Sequence, residues 1–275
     1  TNAGVVDRGF WNAAVSGACT SLAGVPYMYE VLRRLRFERM RLPNLRTLTQ
    51  AGGALSVETK RYVLDACQQS GRQFCVMYGQ TEATARIAYV PPERLGDKLT
   101  SIGVAIPGGR MWVEDKSGVV DQPEVEGEIV YRGPNVMLGY ATTRACLAKG
   151  DELGGVLHTG DLARCDAEGF FHVVGRLKRF VKVFGNRIGL DEVEQLVERE
   201  FRWPAACIGQ DDLLMVACES HDSCDEAAGK VAAFLSGTLG LHPSAFRVQV
   251  LPRIPLTDSL KKDYARLRET FGCGG

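Results

Sequence analysis

No charge of either sign dominates this chain of 275 residues. Its 33 Lys and Arg balance 33 Asp and Glu, a formal net charge of +0. Dedicated nucleic-acid binders usually carry a basic surplus, so no nucleic-acid partner is expected. No apolar run approaches the ~20 residues that span a bilayer. The stretch 10–25 carries Asn12 and follows Asp7 rather than a basic cluster, so it is not read as a secretory leader. The nine cysteines are odd in number, scattered and without a CxxC pair, unlike a secreted disulfide framework. Cys218, His221 and Cys224 form the nearest approach to a metal cluster. Lacking a second ligand pair, they read as surface or core filling, and reduced thiols in a cytoplasm are expected. Also absent are GxxxxGK[ST], GxGxxG after a strand, HExxH and GxSxG. That removes P-loop, Rossmann, zinc-protease and serine-hydrolase chemistry of the usual kinds.

What is present is an ordinary globular composition, 45% hydrophobic and 24% charged, with 31 glycines. At ~150 residues per domain the length suits one large domain or two modest ones. Apolar spacing predicts a helix within 25–40, a strand over Leu45–Thr49 running into Gly52-Gly53, and a helix from Ser56 to about Gln69. A second strand, Gln73–Tyr78, ends in another small-residue turn. Strand, glycine turn, helix, strand is the grammar of a parallel α/β sheet, whose ligands sit beyond the carboxyl ends of strands. After about residue 100 short strand-like runs (Met111–Glu114, Gly127–Tyr131, Phe170–Val174) alternate with Gly, Pro and Asp turns, a small antiparallel β-subdomain. From about Leu177 an α+β pattern begins. It has a helix marked by Leu190, Val193, Leu196 and Val197, a buried strand Leu213–Cys218, a helix Asp225–Leu235 and a strand Val248–Leu251.

Three polar turns can carry chemistry. In Thr49-Gln50-Ala51-Gly52-Gly53-Ala54 the glycines let a flat ligand approach the backbone, though alone this is an ordinary strand-to-helix turn. Tyr78-Gly79-Gln80-Thr81-Glu82 sets an aromatic face, a hydroxyl donor and a carboxylate within five residues. That set can stack on a base, donate to a phosphate and hold Mg²⁺, or simply cap a turn. His158-Thr159-Gly160-Asp161, with Arg176 fifteen positions beyond Asp161, suits a ribose clamp and equally a salt bridge.

Taken together, YGQTEAT, GEIVYRGPNVMLGY, HTGDLA, GFFHVVGRLKRFVKVFGNRIGLDEVE and PLTDSLKKDYARL resemble the adenylate-forming superfamily, in its order and spacing across about residues 20–270. That superfamily includes acyl-CoA synthetases, peptide-synthetase adenylation domains and luciferases. The resemblance implies an α/β fold: a partial parallel-sheet lobe to about residue 100, an antiparallel β-subdomain to 177, and a mobile α+β lid over 178–275. It implies that Gly52, Gly53 and Ala54 lie along the adenine of ATP or AMP, with Tyr78 stacked on it beside Gly79 and Gln80, and Val173 on its other side. Thr81 would contact the α-phosphate, Glu82 would bind Mg²⁺, and Asp161 and Arg176 would hold the ribose. Lys178 matches a hinge, Gly185 a glycine beside a thiol tunnel, and Lys261 a lysine that reaches the adenylation site.

The implied reaction joins a small carboxylic acid to AMP and then to CoA. Transfer to a carrier protein or an amine is the alternative within the enzyme class. Two departures stand out. Leu260 replaces the glycine that normally precedes the lysine, which leaves Lys262 as a competitor for Lys261. The family's Ser/Thr/Gly-rich phosphate loop has no counterpart in residues 1–275, so roughly the first half of the large domain is expected to be missing. A non-catalytic nucleotide-binding or interaction module is the reading from another class.

Overall fold

Residues 4–210, 212–220, 224–258 and 261–272 are described by a computed structural model. Contacts divide the chain into two units, Thr1–Val173 and Val174–Gly275, a division four residues before the expected one.

The first unit opens with α1 (Arg8–Ser16), β1 (Ser21–Gly24), α2 (Pro26–Arg34), β2 (Thr47–Gln50), α3 (Val57–Gln69), β3 (Gln73–Tyr78), β4 (Ala88–Val90) and β5 (Val104–Ala105). β1, β2 and β3 run parallel, and β4 and β5 extend the same sheet antiparallel, in the order β1-β2-β3-β4-β5. Pro26 opens α2 where a missing N–H costs nothing. The helix pattern expected up to residue 40 stops earlier, because Arg36 turns to φ +56°. A 3₁₀ turn, Phe37–Arg39, then drops Phe37 into the core. α3 starts at Ser56, whose Oγ accepts from the Thr59 N–H at 3.1 Å, a cap worth about 1 kcal/mol. Leu48, Phe74 and Val76 from the strands meet Tyr29, Leu32, Val63 and Leu64 from the helices.

The β-subdomain follows: β6 (Arg110–Asp115), β7 (Gly118–Val120), β8 (Glu126–Arg132), β9 (Val156–Cys165) and β10 (Phe171–Arg176), in the order β10-β9-β8-β6-β7. Its buried face, with Met111, Val113, Ile129, Tyr131 and Ala163, packs on Ala83, Ile87 and Ala88 of the first lobe. The Thr81–Glu82 turn, which adjoins Ala83, is thereby fixed between two sheets.

The second unit contains β11 (Phe180–Val183), β12 (Asn186–Gly189), α4 (Leu190–Phe201), β13 (Ala205–Gln210), β14 (Leu213–Glu219), α5 (Cys224–Leu239), β15 (Phe246–Leu251) and α6 (Tyr264–Thr270). β14 lies between antiparallel β13 and parallel β15. Cys207, Leu214 and Val216 face α4 and α5, while Ala206, Ile208, Met215 and Ala217 face α6. Burial on both faces explains the unbroken apolar run of β14. Among the described residues no helix is long and apolar enough to cross a membrane, and no three His, Cys, Asp or Glu gather as a metal site. His221 and Leu260 lie outside the described residues.

Candidate nucleotide site

Two turns at strand ends and a bulge within β9 belong to the first unit. At the end of β2 the buried Gln50 folds its amide back, Nε2 donating to the Gly53 carbonyl at 2.8 Å. This fixes Ala51–Gly53 as a turn whose Gly52 has φ +87°, a conformation glycine adopts without penalty. A Cβ on Gly52 would approach Val25 Cγ1 to 3.3 Å, and one on Gly53 would approach Pro26 Cγ to 3.2 Å. The turn therefore rests on Val25-Pro26 and leaves Gly52, Gly53 and Ala54 exposed, a flat backbone edge.

At the end of β3, Gly79 is enclosed: a Cβ there would stand 2.6 Å from the Ala85 carbonyl oxygen and 2.8 Å from Arg86 Cα. Gln80 accepts through its carbonyl from the N–H groups of Ala83 and Ala85, both at 3.1 Å. Thr81, Glu82 and Ala83 form a 3₁₀ turn in which Thr81 is exposed. The segment after β8 clamps that turn. Asn135 Nδ2 donates to the carbonyls of Ala83 and Arg86 at 2.7 and 2.8 Å, and its Oδ1 accepts from the Tyr131 hydroxyl at 2.7 Å. The Met137 N–H donates to the Glu82 carbonyl at 2.8 Å. Tyr140 donates its hydroxyl to Glu82 Oε1 at 2.6 Å, and that carboxylate bond raises the phenol pKa. Asn135 and Tyr140 were not singled out from the sequence, although both lie in the GPNVMLGY stretch; a Pro-Asn pair just after a strand was the available signal.

The third element is a bulge in β9. Glu128 pairs with Leu162 and Val130 with His158, so Thr159, Gly160 and Asp161 together face one residue of β8. Bulges of this kind re-aim side chains. Glu128 accepts from the Gly160 N–H at 2.8 Å, and Thr159 Oγ1 accepts from the Asp161 N–H at 3.2 Å while donating to the Ile129 carbonyl. Asp161, only 8% exposed, accepts from the Tyr78 hydroxyl at 2.6 Å. Two motif residues 83 positions apart thus meet directly. Val173 is exposed on β10.

Arg176, Lys178, Gly185 and Lys261 belong to the second unit. Arg176 ends β10 and Lys178 follows in an exposed turn closed by the Arg179 N–H to the Arg176 carbonyl at 3.0 Å. Gly185, φ +85°, turns the β11–β12 hairpin. Lys261 has an exposed side chain with no partner among the described residues, and its backbone closes a loop through Thr257 N–H to Lys261 O at 2.8 Å. Lys262 is held instead by Glu194 Oε2 at 2.7 Å and Glu198 Oε1 at 2.9 Å. Burial opposes the Lys262 charge, but the two carboxylates more than offset it and raise its pKa. The buried Glu194 also accepts from Arg179 Nη2 at 2.6 Å, the Cys207 N–H at 2.8 Å and the Tyr264 hydroxyl at 3.2 Å.

The chain belongs to the family of AMP-binding enzymes, whose model matches residues 3–141. It is 30% identical to a feruloyl-CoA synthase of Amycolatopsis over 267 residues, 92% of this chain and 52% of that protein. The amide bond synthetase McbA of Marinactinospora thermotolerans superposes with a TM-score of 0.75 at 25% identity, over 96% of this chain and 54% of McbA. The O-succinylbenzoate coenzyme A synthetase of Bacillus subtilis, in complex with ATP and a magnesium ion, gives a TM-score of 0.73 at 25% identity over 94% of this chain and 53% of the synthetase. The chain spans about half the length of these relatives.

Proposed function

We propose that this chain serves an ATP-dependent carboxylate-activating ligase that forms an acyl-adenylate and then a CoA thioester. The observation that carries the reading is the Tyr78–Asp161 hydrogen bond at 2.6 Å, which joins the proposed adenine and ribose contacts beyond the carboxyl end of a parallel strand. In this reading the adenine lies along Gly52–Ala54 between Tyr78 and Val173, next to Gly79 and Gln80. The ribose hydroxyls donate to Asp161 and accept from Arg176, and Thr81 donates to the α-phosphate. A substrate carboxylate oxygen attacks the α-phosphorus. One O–P bond forms as the bond to the β-phosphate oxygen breaks, and pyrophosphate leaves with its charge.

Lys261 is the proposed cation for that step, supported by its exposed ammonium beside a Lys262 that is already paired. A positioned charge of this kind is worth about a hundredfold in rate. Mg²⁺ is normally held through one or two carboxylates plus substrate phosphates, which the lone carboxylate of Glu82 fits. Bound there, it would neutralise phosphate charge. Lys178 is the proposed hinge and Gly185 the proposed border of the acceptor thiol's path, and closure about such a hinge would gate the chemistry. The likeness to an amide bond synthetase supports a second reading in which an amine takes the acyl group from the same adenylate.

The test is Asp161→Ala in the full product of the gene. ATP affinity by calorimetry should fall at least tenfold, as expected for loss of a charge-assisted contact. Unchanged affinity would remove the ribose assignment.

A further inference from the structure

Two cations and a phenol of the second unit converge on one carboxylate. Glu194, on α4 and only 4% exposed, takes Arg179 Nη2 on Oε1 at 2.6 Å and Lys262 Nζ on Oε2 at 2.7 Å. The Tyr264 hydroxyl joins them on Oε2, and the Arg179 guanidinium lies 3.9 Å from the centroid of the Tyr264 ring. Each cation adjoins a residue with a proposed role: Arg179 follows Lys178, and Lys262 follows Lys261. Glu194 stands 15 positions from Arg179 and 68 from Lys262. The hinge end and the lysine loop of the second unit therefore meet at this side chain.

Both ends are fixed further. Arg179 donates Nε to Asp191 Oδ1 at 2.6 Å, and its carbonyl accepts from the Leu190 N–H at 2.9 Å, whereas Lys178 is exposed. The loop of Lys261 is narrow at its base: Leu256 bridges Lys262 antiparallel, and the Asp263 N–H donates to the Pro255 carbonyl at 2.8 Å. Glu198 takes Lys262 Nζ as well, at 2.9 Å. Lys261 thus leaves the chain one residue before a side chain gripped by two carboxylates. A buried ion network is not needed for stability, since well-packed apolar residues of the same volume usually serve as well or better. Its other use is to fix a geometry, and a catalytic charge must be held to within about 0.5 Å.

We propose that Glu194 is a positioning residue for the adenylation step. It fixes Lys261 through Lys262, and by holding Arg179 as well it makes the hinge end and the lysine loop one rigid piece. Any turn at Lys178 then carries the Lys261 ammonium with it. The inference rests on the ligase reading, in which Lys178 is the hinge and Lys261 the cation.

The experiment neutralises the network in the full gene product by combining Arg179→Met, Glu194→Gln and Lys262→Met. The glutamine keeps an acceptor for the Cys207 N–H, which Glu194 now serves. Melting temperature, ATP affinity, single-turnover adenylation and amide hydrogen exchange over 255–263 are measured, with and without Lys261→Ala. The melting temperature should hold or rise and ATP affinity should hold. Adenylation should slow about tenfold, and the Thr257 and Asp263 amides should exchange faster. Lys261→Ala should cost far less in the neutralised protein than in the natural one, because the two changes act through one group. Lys262→Met alone should slow adenylation similarly, and Lys262→Arg, which keeps a cation between the carboxylates, should not. A network that serves stability alone would lower the melting temperature and leave the cost of Lys261→Ala intact, which would overturn the proposal. Unchanged adenylation in the neutralised protein, or equal rates for Lys262→Met and Lys262→Arg, would overturn it too, with the ligase reading left standing. If the natural protein adenylates no acid, the ligase reading itself fails and this inference falls with it.

Discussion

Lys262 Nζ sits between the carboxylates of Glu194 and Glu198, whereas Lys261, one position earlier, extends into solvent. Neighbours in sequence therefore have opposite expected phenotypes. Lys262→Met should cost about 2 kcal/mol of stability, because it leaves a buried carboxylate short of a partner, while Lys261→Ala should stay within about 0.5 kcal/mol. Adenylation should reverse that order, with Lys261→Ala about a hundredfold slower. Denaturant melts and single-turnover adenylation separate the two, and a stability loss at Lys261 would contradict the assignment. Both lysines were legible as candidates from the terminal motif. What divides them was not, because Glu194 lies 68 residues from Lys262 and nothing local announces it. Tyr78, Thr81, Glu82 and Asp161 stand out as candidates because turn chemistry is written within a few residues of itself.

Elements carry the next level. The Thr81–Glu82 turn depends on Asn135, which reaches back 52 residues to the Ala83 carbonyl. Asn135→Ala should leave the Arg86 carbonyl and the Tyr131 hydroxyl without this partner and the Ala83 carbonyl with only the Arg86 N–H at 3.3 Å, at about 2 kcal/mol. Hydrogen exchange at 81–87 should quicken well ahead of exchange in β6–β8, and uniform protection would refute the clamp.

Lys60 on α3 gives a pH signature. It is buried and donates Nζ to the Leu99 carbonyl at 2.8 Å, and burial lowers its pKa to about 8. Unfolded, the same group holds its proton up to its usual ~10.4. Between these values the unfolded state binds more protons, so stability rises with pH across that window. Below about pH 8 the full cost of the buried charge applies. Relative to Lys60→Met, the natural chain should gain about 3 kcal/mol between pH 8 and 10.5; parallel curves would show that Lys60 is not desolvated. A lysine inside α3 reads in sequence as a solvated face. Its burial is decided by the loop carrying Leu99, which periodicity does not encode.

At the scale of the whole chain, the change of texture near residue 100 and the return of α+β alternation near 177 were visible, because strand length and helix period are local properties. α1, β1 and β13 were not anticipated. α1 buries no residue fully, and β13 is apolar on both faces, so neither shows a clean alternation. The antiparallel β4 and β5 also escaped a grammar that predicted parallel strands. The family membership and the Tyr78–Asp161 contact support the proposal that nucleotide is held here for adenylation of an acid. Acid-dependent ATP–pyrophosphate exchange tests it most directly, run over a panel of carboxylic acids with the full gene product. The expected result is exchange with one class of acid, reduced about a hundredfold by Lys261→Ala. ATP binding without exchange for any acid would contradict the account.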